Sequence, residues 1–330
     1  MERGIVVTKV QNMSKGTITR LFGLTVGCAA MTQIANAAIM VDIDGPGVNS
    51  PTAIESFDFL PGNSLNVGAL TPAVLPPPIG SSAPFKNLFQ ARLGAVLDQG
   101  GNVVMLTGLN DTNVLNPSRF EITVVAEFDL AVTGNTTNPI LTTTTTQILP
   151  NSGVNYVRVY FDKNVNANDL AGTGFTDGTL ILEGKATFGG SSLVEFNTLP
   201  AVAFDQFNTN DYPTVQTKTG VGGLTLDANV INTHAAFFLS SLGVASINAS
   251  TTNVFPFKQI NPSHQFTSDP GVPVAVVPNI GTINGNPQFG GRDIQFQTDA
   301  TVSFTAVPEP GTLMVLGLGT LGLMLRRRHA

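Results

Sequence analysis

Three oxygen-bearing side chains alternate along Asp162-Lys163-Asn164-Val165-Asn166, the spacing with which a calcium-binding loop offers its first three ligands. The pattern then breaks: Ala167 replaces the turn glycine, and Thr173 stands where a bidentate carboxylate would complete the cage. Calcium through Asp162, Asn164 and Asn166 is therefore one reading. Side chains that fold back on their own turn are the other. Asp42 and Asp44 with Gly45 form a smaller set of the same kind.

Other chemistry is sparse. His234 sits in the apolar run INTHAAFFL, where a structural role is the default, and His264 lies in a Pro/Ser/Asn loop. Neither is accompanied by a GxSxG elbow, an HExxH pair or a phosphate-cradling glycine loop. Carboxylate pairs such as Asp205 and Asp211 would suit glycoside hydrolysis, but scattered acids make some pairing inevitable. The expectation is a protein that is not an enzyme and has no resident cofactor. A glycan-active hydrolase and a calcium-stabilised structural surface protein are the alternatives.

Composition narrows the class. The chain has 330 residues, 12% of them charged, with 34 Gly, 21 Pro, one Cys and no Trp, and its mean hydropathy is +0.20. One cysteine excludes a disulfide scaffold, and 42% hydrophobic residues supply enough for a sizeable core.

The elements that would position these residues read as strands. Between Phe120 and Leu130 the even positions are apolar (Phe120, Ile122, Val124, Ala126, Phe128, Leu130) and the odd ones largely polar, as in a strand with one buried face. Ile294 to Phe304, Tyr156 to Phe161 and Thr179 to Ala186 read as strands too, as do Leu224 to Ile231 and Val103 to Leu106. Thr233 to Leu242 is the one plausible helix, and Leu88 to Leu97 fits either element. With turn-rich connections and no crossover helices, the expected body is all-β, an antiparallel β-sandwich or jelly-roll-like fold with long loops. Leu70 to Pro84 is too proline-rich for a central strand, and Thr133 to Thr146 reads as an exposed polar stretch, with an edge strand or a glycosylated surface stretch as the alternatives.

The two ends read as addresses. Lys15 and Arg20, the apolar stretch Leu21 to Ala30 and the small residues Ala35-Asn36-Ala37 make a Sec signal peptide over residues 1–37, cleaved by signal peptidase before Ala38. Met13 is the alternative start, and Cys28 leaves with the signal. At the other end, fifteen uncharged residues separate Pro310 from Arg326-Arg327-Arg328. As a helix they span roughly 23 Å, a short transmembrane segment with its arginines on the cytoplasmic side. The expected division is 1–37 signal peptide, 38–306 β-rich extracellular domain and 307–330 sorting and anchor segment. The middle part holds nine basic and twenty acidic residues, a formal charge of −11 that argues against nucleic acid as a partner.

Pro308-Glu309-Pro310, the apolar run and Arg326, Arg327 and Arg328 together resemble the PEP-CTERM sorting signal of Gram-negative bacteria. The resemblance implies handling by an exosortase, passage through the inner membrane, and delivery to the cell surface or extracellular matrix. FDFLPGNSL (Phe57 to Leu65), Gly172 to Thr187, NDYPTV (Asn210 to Val215) and DIQFQTDATVSF (Asp293 to Phe304) are similar to the flocculation-associated group of these proteins. That likeness implies a matrix protein promoting flocculation and biofilm formation by adhesion to exopolysaccharide. Tyr156 and Tyr160 are the aromatics expected to stack on sugar rings.

Overall fold

The computed structural model describes residues 39–47, 50–68, 83–137, 141–148, 155–196, 202–217, 219–239, 242–255, 257–269, 272–276 and 293–306. The expected signal peptide and its cleavage residues Ala35, Ala37 and Ala38, and the C-terminal apolar segment, lie outside them.

The long strands are β3 (Ser56–Val67), β4 (Ala83–Leu97), β6 (Glu121–Thr137), β7 (Leu141–Ile148), β8 (Asn155–Asp162), β9 (Thr179–Phe196), β12 (Thr219–Thr233), β13 (Leu242–Phe255) and β16 (Ile294–Ala306). Shorter pieces are β1 (Ile39–Val41), β2 (Thr52–Ile54), β5 (Val103–Val104), β10 (Val202–Ala203), β11 (Gln216–Thr217), β14 (Gln265–Asp269) and β15 (Val272–Val276). Every pairing between these strands is antiparallel, and the described residues contain no helix.

One ten-stranded sheet dominates, and it curls until it meets itself. Following the pairings, β3 joins β4, β4 joins β6, β6 joins β8, β8 joins β9, and β12, β13 and β16 lead back to β3. Strands β7 and β8 share one place in this ring, one above the other: β8 fills the gap between Glu121–Phe128 and β9, and β7 the gap between Leu130–Thr137 and β9. The all-β antiparallel expectation holds. The pairing, though, makes one closing sheet rather than two stacked ones, because long strands with bulges can bend continuously instead of breaking at corners.

The residues dictate which face is inside. The even positions of β6 interdigitate with Val157, Val159 and Phe161 of β8, Ala91 and Leu93 of β4, and Phe57 and Phe59 of β3, all nearly inaccessible. A one-residue register shift between Phe59 and Asn63 on β3 changes the phase, so Leu65 and Leu88, paired across β3 and β4, pack on the outer side instead. There Phe204, Tyr212, Val215, Phe257, Ile260 and Phe266 from the connections cover them. Asn63, Gln90, Ser263 and Gln295 are all buried and pin this cover to the wall. Gln90 donates to Ser263 Oγ (3.0 Å), Ser263 N donates to Asn63 Oδ1 (2.8 Å), and Gln295 donates to the Ser263 carbonyl (3.0 Å).

The β1–β2 hairpin stoppers one end of the barrel with Ile39, Val41, Ile43 and Ile54. It bridges to the turn after β12: Asp42 N donates to the Phe237 carbonyl (2.8 Å), and Leu239 N to the Met40 carbonyl (2.9 Å). The helix expected over Thr233 to Leu242 is not formed where the chain is described. Phe237 N and Phe238 N both donate to the His234 carbonyl, closing a single turn that drives two adjacent phenylalanines into the core. The ambiguous Leu88 to Leu97 stretch belongs to strand β4. The threonine-rich stretch enters β6 and β7, and β7 is paired on both sides, so it is neither a loose loop nor an edge.

Candidate functional site

Asp162 ends β8, and its Oδ1 accepts the Asn164 N–H at 2.8 Å. Asn166 turns its Nδ2 to Asp177 Oδ2 (2.9 Å), while its main-chain N–H and that of Ala167 are held by Glu121 Oε1 at 2.8 and 3.0 Å. Asp162 thus accepts within a local turn, Asn166 is held through its amide nitrogen and main chain, and Glu121 ties the 163–178 loop to β6. Burial raises Asp162 above the usual carboxylate range and Asp177 adds to it; burial likewise raises Glu121. Among the described residues, no three or more His, Cys, Asp or Glu side chains converge as a metal cage. Asp42 is buried, accepts Gly47 N at 3.2 Å, and is raised first by burial, with Asp44 contributing.

The candidate catalytic groups serve the backbone. Asp205 is buried, with Oδ2 accepting Asp211 N (2.7 Å) and Oδ1 accepting Phe207 N (3.1 Å), so the pair clasps one loop. His234 Nδ1 accepts Ala236 N at 3.3 Å, and its ring lies edge-on to Phe237. The His264 ring lies edge-on to Tyr212, and the His264 main-chain N–H donates to the Leu170 carbonyl at 2.8 Å. Burial raises the Tyr212 phenol far above its ordinary range.

Sequence reasoning missed a charged ladder across β4, β6, β8 and β9. Lys86 pairs with Glu127, whose other oxygen accepts the Tyr156 hydroxyl (3.1 Å). The Arg158 guanidinium lies 4.1 Å from the centre of the Tyr156 ring and donates to Glu183 Oε1 (2.8 Å). The only signal for it was the polar phase of β6 facing the polar phase of β8. The ladder occupies Tyr156. Tyr160 is 2% exposed and packs with Val125 and Phe175, so it offers no face to a sugar.

A different surface emerges from register. One row runs Gln147, Gly190, Thr225, Asn248, Thr301 and Asp58 across six adjacent strands. A second runs Thr145, Ser192, Gly223, Ser250 and Asp299, and a third Asp227, Ser246 and Ser303, ending on the buried Ser56. Rows between them carry the core residues Leu226 and Val302, so the polar rows alternate with the inward ones. Gly190, Thr225, Asp227 and Asp299 are exposed, and no row contains Lys or Arg. An apolar interior with a polar wall is the reverse of a lipid-embedded barrel. Among the described residues no helix is long and apolar enough to cross a membrane.

Beyond Ala306, the last residue of β16, comparison with protein families matches the PEP-CTERM protein-sorting motif over residues 306–328. The chain carries a PEP-CTERM sorting motif. The match takes in Pro308, Glu309, Pro310 and Arg326, Arg327 and Arg328, all outside the described residues. No curated protein and no solved structure matches the chain. The PEP-CTERM motif indicates an exported protein, sorted by an exosortase and held transiently in the membrane before surface display.

Proposed function

We propose that the barrel is a non-enzymatic adhesin, binding neutral exopolysaccharide at the surface of a Gram-negative cell and so promoting flocculation and biofilm formation. The observation that carries this reading is the wall of hydroxyl, amide and glycine rows. Hydroxyls both donate and accept, and neighbours about 4.8 Å apart within a row, with successive rows about 7 Å apart along the strands, give a regular grid for a polyhydroxylated chain. None of the residues named in the rows is aromatic, so each contact is weak. Strength comes from many copies engaging one polymer. The three aspartates in the rows and the overall negative charge disfavour acidic polymers. Sec export, removal of residues 1–37 and cleavage near Pro308 would precede this work.

The test is floc formation in cells lacking the gene and in cells restored with the parent chain or with Thr187→Glu/Thr225→Glu, Thr187 being the exposed residue whose hydroxyl donates to the carbonyl of Asp227 in the third row. The reading expects aggregation to fall on deletion, recover with the parent, and stay low with the double variant at equal surface abundance. Aggregation unchanged by deletion would defeat it and turn attention to glycan hydrolysis.

A further inference from the structure

Six large apolar side chains stand more than half exposed among the described residues: Val103 (59%), Met105 (90%), Val114 (74%), Leu115 (86%), Ile231 (59%) and Leu239 (56%). All six belong to one end of the barrel. Val103 pairs with Leu97, which pairs with Ser56, which pairs with Ser303 near the end of β16. Met105, Val114 and Leu115 follow in the same connection, which returns to the sheet at Phe120 and Glu121, the start of β6. Ile231 lies at the end of β12, and Leu239 just beyond it, hydrogen-bonded to the stoppering hairpin. Two further apolar residues, Leu60 and Val221, lie within strands and are little more than a third exposed.

That end is also where the chain departs for its membrane segment. β16 finishes there at Ala306, paired with Leu242. Only residues 307–310 separate it from the apolar run, and four extended residues reach at most about 14 Å. So short a tether keeps this end, and no other, against the bilayer while the segment is inserted. From this juxtaposition we infer that the exposed apolar tips of the 103–115 connection, with Ile231 and Leu239, form a lipid-contacting surface. It seats the barrel on the membrane interface and holds the Pro308-Glu309-Pro310 triplet at that depth. Surface exposure of this size and clustering is otherwise costly for a water-borne protein, whereas interfacial lipid takes up apolar tips readily. The nearby carboxylates of Asp98 and Asp111 give anionic headgroups no advantage, so a zwitterionic surface suffices. The inference stands on the sorting motif and the fold, independently of the adhesion reading.

The experiment uses the full chain with Cys28→Ser, inserted into phosphatidylcholine vesicles and carrying an environment-sensitive fluorophore on Leu115→Cys or Met105→Cys. The control is Thr225→Cys on the polar wall, and all labelled chains must melt at the parent temperature. The expected result is a blue-shifted emission at 115 and 105 that is quenched by acyl-chain-labelled lipid, with neither effect at 225. Unquenched emission at 115 and 105 overturns the inference. If it is blue-shifted as well, the tips are covered by a second copy of the chain instead of lipid.

Discussion

The carboxylate of Glu121 accepts the main-chain N–H of Asn166 at 2.8 Å, and the same oxygen takes that of Ala167 at 3.0 Å. Glu121 is the first residue of β6 and fully buried. A second tie, Arg92 to Asp169 at 2.7 Å, fastens the same loop to β4. The 163–178 loop therefore belongs to the barrel wall, and the stretch that looked like a calcium loop is held by carboxylate-to-backbone bonds.

Removing the Glu121 carboxylate separates its two roles. Glu121→Ala leaves two N–H groups without an acceptor and is expected to cost about 2–4 kcal/mol. Glu121→Gln keeps an acceptor oxygen and should stay within about 1 kcal/mol of the parent. Urea unfolding of both variants near neutral pH makes the comparison.

Acidity should strengthen the fold before it weakens it. Burial raises Glu121, Asp162, Asp169, Asp205 and Asp299 above their ordinary range. Between the ordinary value and each raised one, the folded chain binds more protons than the unfolded chain, so stability falls as pH rises through that window. The melting temperature is expected to be higher near about pH 5 than near about pH 7.5, with a smaller difference in Glu121→Gln. Asp98 and Asp111, held low by hydrogen bonds from Asn102 and Asn116, act in the opposite sense. Their contribution is lost as pH drops below the ordinary carboxylate range.

Gly172 and Gly47 both have positive φ, at 70° and 79°, yet they should respond differently to alanine. A Cβ on Gly172 would run into the carbonyl of Gln265, whereas one on Gly47 meets nothing within 4 Å. Gly47→Ala is expected to cost about 1 kcal/mol, the backbone penalty alone. Gly172→Ala should cost about 3 kcal/mol or more and separate the 163–178 loop from β14, as thermal melting and proteolysis of that loop would report.

The tyrosines of β8 divide in the same way. Tyr160→Ala opens a cavity under Phe175 and should cost about 3–5 kcal/mol. Tyr156→Ala removes a ring that is half-buried and covered by Arg158. A double-mutant cycle with Arg158→Ala should return a coupling of about 0.5–1 kcal/mol.

Periodicity made the strands legible. The alternation from Phe120 to Leu130 named the inward residues of β6 correctly, and Ile294, Ala300, Val302 and Phe304 all lie in the core or against it. What period alone could not carry was phase change and partner choice. The shift at Phe59/Asn63 reverses the buried face of β3 midway, and nothing local announces it. Ring closure depends on pairs such as Phe57 with Val302, which are set by the whole chain. The apolar run after Thr233 looked helical because Ala236, Phe237 and Phe238 are apolar. Two adjacent phenylalanines entering one core need a tight turn, and that demand comes from the barrel end they fill. The sorting motif was readable because its chemistry is linear. The polar wall was not, because its rows exist only across strands.

β16 sits between β13 and β3 and is the last strand before the sorting motif. A chain that emerges amino end first must therefore wait for its final strand before the ring can shut. Until then β3 and β13 are two unprotected edges, each able to pair with a neighbouring molecule. The transient membrane hold that the sorting motif indicates falls between the making of that final strand and surface display, the interval in which the ring has to shut.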